Sequence, residues 1–386
     1  MQPLEKNKHM EFPEQLQTKI NQRKENFTYR ELQRENNLID FSSNDYLGFS
    51  KNRTIFNKVT DSLKNYRIIN GSTGSRLISG NNSLFEELEL MFSDFFSAAA
   101  ALIFNSGFDA NIGLFSSVMQ RGDIVLYDEL CHASIRDGIR LSNAQSFKFI
   151  HNDLVDLEKK FINAKQSTGN IYVVVESIYS MDGDKSPLKE ISDYCQENNF
   201  FFIVDEAHAT GIYGKSGNGL VVELGLEKYV FARVYTFGKA MGCQGAVIVG
   251  SQELISFLIN YARSFIYTTA MSIHNLLTIK YAFEELQVTT EVTNLIKNIS
   301  LFKEELKSRN LENLFLPSNS AIQSCIIPNN KSVRETADRL NTNDFDVKAI
   351  LAPTVSSGKE RLRFCIHSYN SEEQIKQVLN LLSTFV

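Results

Sequence analysis

Six short apolar runs punctuate the middle of the chain, at residues 99–105, 123–127, 171–176, 200–204, 234–236 and 246–249. They are rich in Val, Ile and aromatic residues and lack the polar alternation of a half-solvated strand, so they predict strands buried on both faces. Helical spacing in the segments between them predicts an α/β fold around a parallel sheet. Ligands of such sheets lie beyond the carboxyl ends of the strands, so polar residues just after these runs are the candidates for chemistry. Beyond about residue 285 the texture changes. A long helical stretch at 294–311 precedes strand-like runs at 322–327 and 361–366 and helical patterns at 333–340 and 372–382. This predicts a smaller α+β lobe. The expected organisation is an N-terminal segment 1–45 with a helix and a short β element, a large domain 46–285 and a small domain 286–386.

Composition narrows the class without choosing a function. With 40 basic and 45 acidic residues the net charge is −5, so the basic stripe of a nucleic-acid binder is not expected. No apolar run approaches the roughly 18 residues of a membrane span, and the polar start of the chain lacks a signal-peptide pattern. Cys131, Cys195, Cys243, Cys325 and Cys365 are scattered without a CxxC pair. They read as reduced thiols of a cytoplasmic protein. No His/Cys group has metal-ligand spacing, so no metal is expected.

The run at 200–204 stops abruptly at Asp205-Glu206-Ala207-His208. An apolar strand ending in these four residues also occurs in nucleotide-driven motors, and residues 209–216 fit a permissive phosphate-loop pattern. That reading fails on geometry. A phosphate loop follows a strand and opens a helix whose N–H groups cradle the phosphates. Here the loop is followed by Gly217-Asn218-Gly219, a poor helix start. A better reading comes from Thr236-Phe237-Gly238-Lys239, directly after the fifth run. Glycine lets a backbone approach a bound cofactor closely, and an amine there can form a Schiff base with a carbonyl cofactor. Pyridoxal 5'-phosphate (PLP) needs such a lysine and an acidic partner for its pyridine nitrogen. Asp205 stands at another strand end. Asn105-Ser106-Gly107-Phe108-Asp109, between a strand and a helix, supplies an anion-binding turn.

With those residues in place, the chain resembles the α-oxoamine synthases, PLP-dependent acyltransferases of fold type I. The resemblance runs from about Ile20 to the C-terminus. It is carried by Phe41-Ser-Ser-Asn-Asp-Tyr-Leu-Gly48, Gly71-Ser-Thr-Gly-Ser-Arg-Leu-Ile-Ser-Gly80, Asp128-Glu-Leu-Cys-His132, Ser180-Met-Asp-Gly183, Asp205-Glu-Ala-His208, Thr236-Phe-Gly-Lys239 and Arg361-Leu-Arg363. It implies a large domain with a mainly parallel central sheet, a smaller C-terminal α+β domain, and PLP on Lys239 as a Schiff base. By the same resemblance, Asp205 pairs with the pyridine nitrogen, and His208 and Ser180 hydrogen-bond the phenolic oxygen. His132 stacks on the ring, and Ser106, Gly107, Phe108 and Thr236 surround the phosphate. The family's homodimers share active sites, so Thr268 or Thr269 would reach the partner's phosphate. Asn44 and Arg363 would hold the amino-acid carboxylate, for which an Arg fork is suited. The implied reaction is a decarboxylative Claisen condensation of an amino acid with an acyl thioester, carried by CoA or by acyl carrier protein.

Gly71-Ser-Thr-Gly-Ser-Arg76 most resembles the family branch that joins L-alanine to a pimeloyl thioester in biotin biosynthesis. Arg30 falls near the acyl-chain carboxylate contact of that branch, with Arg23 and Arg34 as competitors. Thr73, Phe85, Ala209 and Gln244 depart from the family pattern without removing a catalytic group. Sister enzymes using serine or glycine, a PLP-fold aminotransferase, and a regulatory PLP-binding module stay open as alternatives.

Overall fold

A computed structural model describes residues 12–32, 37–66, 70–164 and 169–386. Seven described strands form the central sheet: β1 (Ala100–Phe104), β2 (Ile124–Asp128), β3 (Gln145–Phe149), β4 (Ile171–Glu176), β5 (Phe201–Asp205), β6 (Ala232–Thr236) and β7 (Ala246–Gly250). Their order is β1-β7-β6-β5-β4-β2-β3. The pattern reading located six of them. It missed β3, whose Gln145-Ser-Phe-Lys-Phe149 alternates like a half-solvated edge strand and is in part exposed. The structure also corrects the direction of β7, which runs antiparallel to both β1 and β6. Burial on two faces produces the same continuous apolar run in either direction, so the pattern carried no sign of the reversal.

Both faces of the sheet are covered, as the alternation within each strand records. On one face Leu102, Val125, Val174, Ile203 and Val234 pack against Ala110, Leu114 and Ile135. These belong to the helices Gly107–Val118 and Ala133–Leu141. On the other face Leu126, Val173, Val175 and Val204 meet Leu157, Leu188 and Ile191, while Ile103, Tyr235 and Val247 meet Phe92, Leu277 and Phe283. Helix starts are fixed by side-chain caps that satisfy free N–H groups. Ser106 caps Gly107–Val118, and Ser371 and Gln374 form a capping box on Glu372–Ser383.

A second sheet is antiparallel, with β8 (Ile322–Ile326), β9 (Lys348–Ile350) and β10 (Arg361–Cys365) in the order β9-β10-β8. The helices Glu291–Ser308, Asn330–Thr342 and Glu372–Ser383 accompany it. In the N-terminal part a helix covers Glu14–Glu25, and Ile39–Asp40 pairs in parallel with Phe345–Asp346. One apolar core runs from Phe41 through Phe92 and Phe237 to Phe302, Phe364 and Leu382. The division at 285/286 therefore crosses shared packing, and the 46–285 and 286–386 domains stand as a proposed partition. No described helix is long and apolar enough to cross a membrane.

Phe92 is the keystone of an aromatic cluster, stacked 5.0 Å from Phe237 and edge-on 4.9 Å from Phe283. Phe237 is two residues before Lys239, so this packing supports the lysine turn. Phe92→Ala is expected to lower unfolding free energy by about 3–5 kcal/mol through cavity formation, as measured by urea denaturation of the PLP-loaded protein.

Candidate active site

The carboxyl ends of β1, β4, β5 and β6 open onto one cavity of about 420 Å³. Its lining includes Asn44, Ser106, Gly107, Phe108, His132, Asp205, His208, Thr236 and Lys239, all singled out above. Asn111, Ser134 and Glu176 line it as well. The sequence reading missed these three.

At one end, Ser106 caps the twelve-residue helix Gly107–Val118, its hydroxyl accepting from Asp109 N at 3.0 Å. The helix N-terminus presents unpaired N–H groups and a positive dipole end to an anion. Gly107 is required by close approach, because a Cβ there would stand 2.4 Å from Thr236 Cγ2.

Deeper in, Asp205 accepts from Asn111 Nδ2 at 2.8 Å and from the Ala207 N–H at 2.9 Å. Asn111 Nδ2 also donates to Ser134 Oγ at 3.0 Å, while its own Oδ1 is buried and unpartnered. Ser134 N donates to His132 Nδ1 at 3.2 Å, which leaves a neutral His132 with its ring proton on Nε2. Glu176 is paired in register with Asp205 on the neighbouring strand, so both side chains leave the same face. Burial, together with the adjacent Asp205, pushes the Glu176 carboxyl well above the usual range. Its Oε1 accepts from His132 N at 2.5 Å.

Lys239 sits in the hairpin between β6 and β7. Burial of its amine lowers its pKa, against the attraction of Asp205 and Glu176. Burial also drives His208 well below the usual imidazole range, reinforced by the charges of Lys239 and Arg363. His208 Nδ1 lies 2.9 Å from Tyr46 Oη, and Tyr46 in turn donates to Asn44 Oδ1 at 3.0 Å. With the phenol proton committed to Asn44, His208 Nδ1–H is the donor. Arg363 Nη2 donates to the same Asn44 oxygen at 3.0 Å, and its Nε donates to the Ser180 carbonyl at 2.7 Å.

The chain is similar in sequence and fold to known proteins. The family model for aminotransferase class I and II matches residues 36–382. An 8-amino-7-oxononanoate synthase of Emericella nidulans is 38% identical over 370 residues, covering 90% of this chain and 89% of that one. A solved structure of SPT (serine palmitoyltransferase) with PLP is 26% identical with a TM-score of 0.84, covering 90% and 87%. The 8-amino-7-oxononanoate synthase structure from Francisella tularensis is 29% identical with a TM-score of 0.77, covering 91% and 98%.

The chain belongs to the α-oxoamine synthases.

Its cofactor is PLP, within the aminotransferase class I and II family and fold type I. The residues present fit that cofactor. The α-oxoamine synthase cavity offers a helix N-terminus for a phosphate, a deep hydrogen-bonded carboxyl for a pyridine nitrogen and an amine for an aldehyde, and these are the donors PLP chemistry requires.

Other residues singled out from the sequence lie outside this cavity's lining. Ser180 contributes its backbone carbonyl to Arg363. Thr268 and Thr269 are held through their Oγ1 and carbonyl by Asn105 Nδ2, at 2.9 and 2.8 Å. Arg30 is exposed on a separate cleft of about 840 Å³, which it shares with Arg23, Arg334 and residues 347–354. Arg34 lies outside the described residues. Arg76 of the Gly71–Arg76 motif also lies elsewhere. It pairs with Glu89 and stacks on Phe85, 4.0 Å from the ring centre, so the unusual Phe85 serves as a platform for that arginine. The segment 209–216 folds as turns and bends, and the next helix, Leu220–Glu223, is four residues long and does not start directly after Ser216.

His208 gives a stability signature with a definite sign. Its folded pKa is depressed below 6.5, so under acid the unfolded chain takes up a proton that the folded chain refuses. Stability is then present above pH 6.5 and lost as pH falls below it, by about 1.4 kcal/mol per pH unit for one fully depressed histidine. Glu176 and His151 hold their protons in the folded chain and give slopes of opposite sign, but they are common to wild type and variant, so between pH 6.5 and 5.5 the melting of PLP-free wild type is expected to differ from that of His208→Asn by this slope.

Proposed function

We propose that this enzyme condenses L-alanine with a pimeloyl thioester, pimeloyl-CoA as the first choice, releasing CO2 and the thiol carrier as in biotin biosynthesis. The observation that carries this reading is the 38% identity, over 90% of the chain, to a protein named 8-amino-7-oxononanoate synthase. The Gly71–Arg76 motif supports it. PLP would supply a protonated ring that draws electron density from the amino acid's α-carbon.

The chain's own groups would do the rest. Asp205 would keep the ring nitrogen protonated, with Asn111 fixing its carboxyl. Ser106, Gly107, Phe108 and Thr236 would surround the phosphate, and Thr268 or Thr269 would reach across a homodimer to the partner's phosphate. His132 would cover the ring face, and His208 with Ser180 would hold the phenolic oxygen. Lys239 would take the α-proton on Nζ, for which its lowered basicity suits it, because a neutral amine is the competent base. Arg363 and Asn44 would bind the substrate carboxylate. Arg30 stands on a cleft separate from the Lys239 cavity, so it would receive the distal carboxylate of the acyl chain only where that chain reaches out of the cavity. The five thiols are unpaired, in keeping with a cytoplasmic enzyme.

A second reading has its own support. The SPT structure superposes with a TM-score of 0.84 against 0.77 for the Francisella enzyme, at 26% against 29% identity, so the backbone is compatible with a serine-using, long-acyl activity as well. Acyl carrier protein could replace CoA as donor in either case.

Visible spectra of the PLP-loaded protein titrated with alanine, glycine and serine separate these readings. A response saturating with alanine alone, followed by thiol release from pimeloyl-CoA, is expected. A tight response to serine alone would transfer the assignment to the second reading. Lys239→Ala is expected to reduce turnover by about 10²–10⁴-fold, the range for loss of a positioned acid-base group, measured as CO2 release.

A further inference from the structure

A second polar centre lies outside the Lys239 cavity, around His151. Nδ1 of its ring stands 3.0 and 3.1 Å from the two carboxylate oxygens of Asp128, and Nε2 stands 2.8 Å from Oδ2 of Asp184. A ring with a carboxylate at each nitrogen must donate from both, which only the imidazolium can do. Tyr179 closes the ring's flank edge-on, with centroids 4.4 Å apart. Glu129 faces the backbone N–H of His151 at 3.5 Å, and the Lys185 ammonium is turned over the Tyr213 ring. Burial opposes the charge, but the bonds to Asp128 and Asp184 prevail and hold the imidazole up at about 10.

Each carboxylate belongs to a segment that serves the active site. Asp128 ends β2 and accepts from Leu130 N at 2.8 Å, while its carbonyl accepts from Cys131 N at 3.0 Å. That turn delivers His132. Asp184 lies in the loop 177–186, which is folded on itself by Tyr179 N to the Asp184 carbonyl at 3.1 Å and Gly183 N to the Tyr179 carbonyl at 2.9 Å. The same loop presents the Ser180 carbonyl to Arg363 Nε at 2.7 Å, and Asp182 Oδ1 to Arg361 Nη1 at 2.6 Å. Arg363 bonds to a carbonyl, the Asn44 amide and the Cys365 thiol, and among the described residues it forms no ion pair. Its direction is set by a neutral carbonyl on a loop whose outer corner His151 holds.

We propose that protonated His151 is a positioning residue. It braces the loop 177–186 against the His132 turn and so fixes the Arg363 guanidinium where an amino-acid carboxylate would bind. Only the carboxylate's identity rests on the function proposed above. The brace itself stands on the geometry.

PLP-loaded His151→Gln and Asp184→Asn test it. Amide exchange at Tyr179 and Gly183 is expected to accelerate in both, because the loop opens locally. The dissociation constant for the amino acid that the wild type binds is expected to rise about 10-fold in each, the scale of a small misplacement of a binding group. The KM for the acyl thioester and the PLP content are expected to stay at wild-type values, and the double variant is expected to lose no more than either single one. In Asp184→Asn the ¹⁵N-detected titration midpoint of His151 falls. Unchanged exchange at Tyr179 and Gly183, or faster exchange with unchanged amino-acid binding, overturns the proposal. Joint loss of PLP, amino acid and acyl donor also overturns it, since that is the mark of a merely structural residue. A wild type that responds to none of the three amino acids defeats the functional reading alone, and the exchange measurement still decides the brace.

Discussion

A primary amine withdrawn from water beside two carboxyl groups sets the terms for the rest of this structure. An ammonium group is costly to bury, and two carboxylates side by side are costlier still. Glu176 and Asp205 leave adjacent strands at the same register position, so they cannot share the space as two bare anions. The Glu176 carboxyl responds by holding its proton far above the usual range. Lys239 shifts in the opposite sense, its amine made less basic by burial against the pull of both carboxyl groups. A buried site with this charge balance has to be rigid. The surrounding structure supplies the rigidity through covered sheet faces, capped helices and the Phe92–Phe237–Phe283 packing under the lysine turn.

Much of that frame was legible in the sequence because burial leaves a compositional trace. Strands such as Ile171–Glu176 and Phe201–Asp205 are covered on both faces, so nearly every position is apolar and the end of the run is sharp. The edge strand Gln145–Phe149 leaves no such trace, since its exposed face is polar. The direction of β7 left a different clue. Only nine residues, 237–245, separate it from β6, too few for the crossover that a parallel neighbour demands. Loop length carried information that the apolar pattern did not.

The site divides in the same way. Lys239, Asp205 and His208 stand in short motifs directly after apolar runs, where the strand-end rule points. Glu176 obeyed that rule too, as the charged end of a buried strand, and applying it evenly would have found it. Asn111 was hidden by its helix. It sits one turn inside Gly107–Val118, among apolar residues, and nothing in its neighbours marks it as the residue that fixes Asp205. Tyr46 and its link to His208 span 162 positions of sequence, a contact that only the folded chain creates. His151 belongs to this class as well, because its two carboxylates come from a strand end and a distant loop.

The reversal of β7 is more than a topological detail, since it makes the cavity geometrically possible. Ala246 pairs with Phe104 on one side and with Thr236 on the other. The start of β7 therefore lies beside the ends of β1 and β6. A parallel β7 would begin at the opposite edge of the sheet, and the chain after Lys239 would have to leave the ligand side. As an antiparallel strand it returns at once. The lysine hairpin keeps both its ends at the edge where Ser106 and Gly107 open their helix. The turn is tight enough to need glycine at Gly242, where φ is +60° and a Cβ would stand 2.2 Å from Ser50 N. The helix start at Ser106, Thr236 and Lys239 are thus brought together by strand direction, and the parallel neighbours β4 and β5 add their carboxyl groups from the same edge. The arrangement leaves the cavity with the positive end of a helix dipole at Ser106 and Gly107 and with Asn44 elsewhere on its wall, where Arg363 stands behind the Asn44 amide oxygen at 3.0 Å.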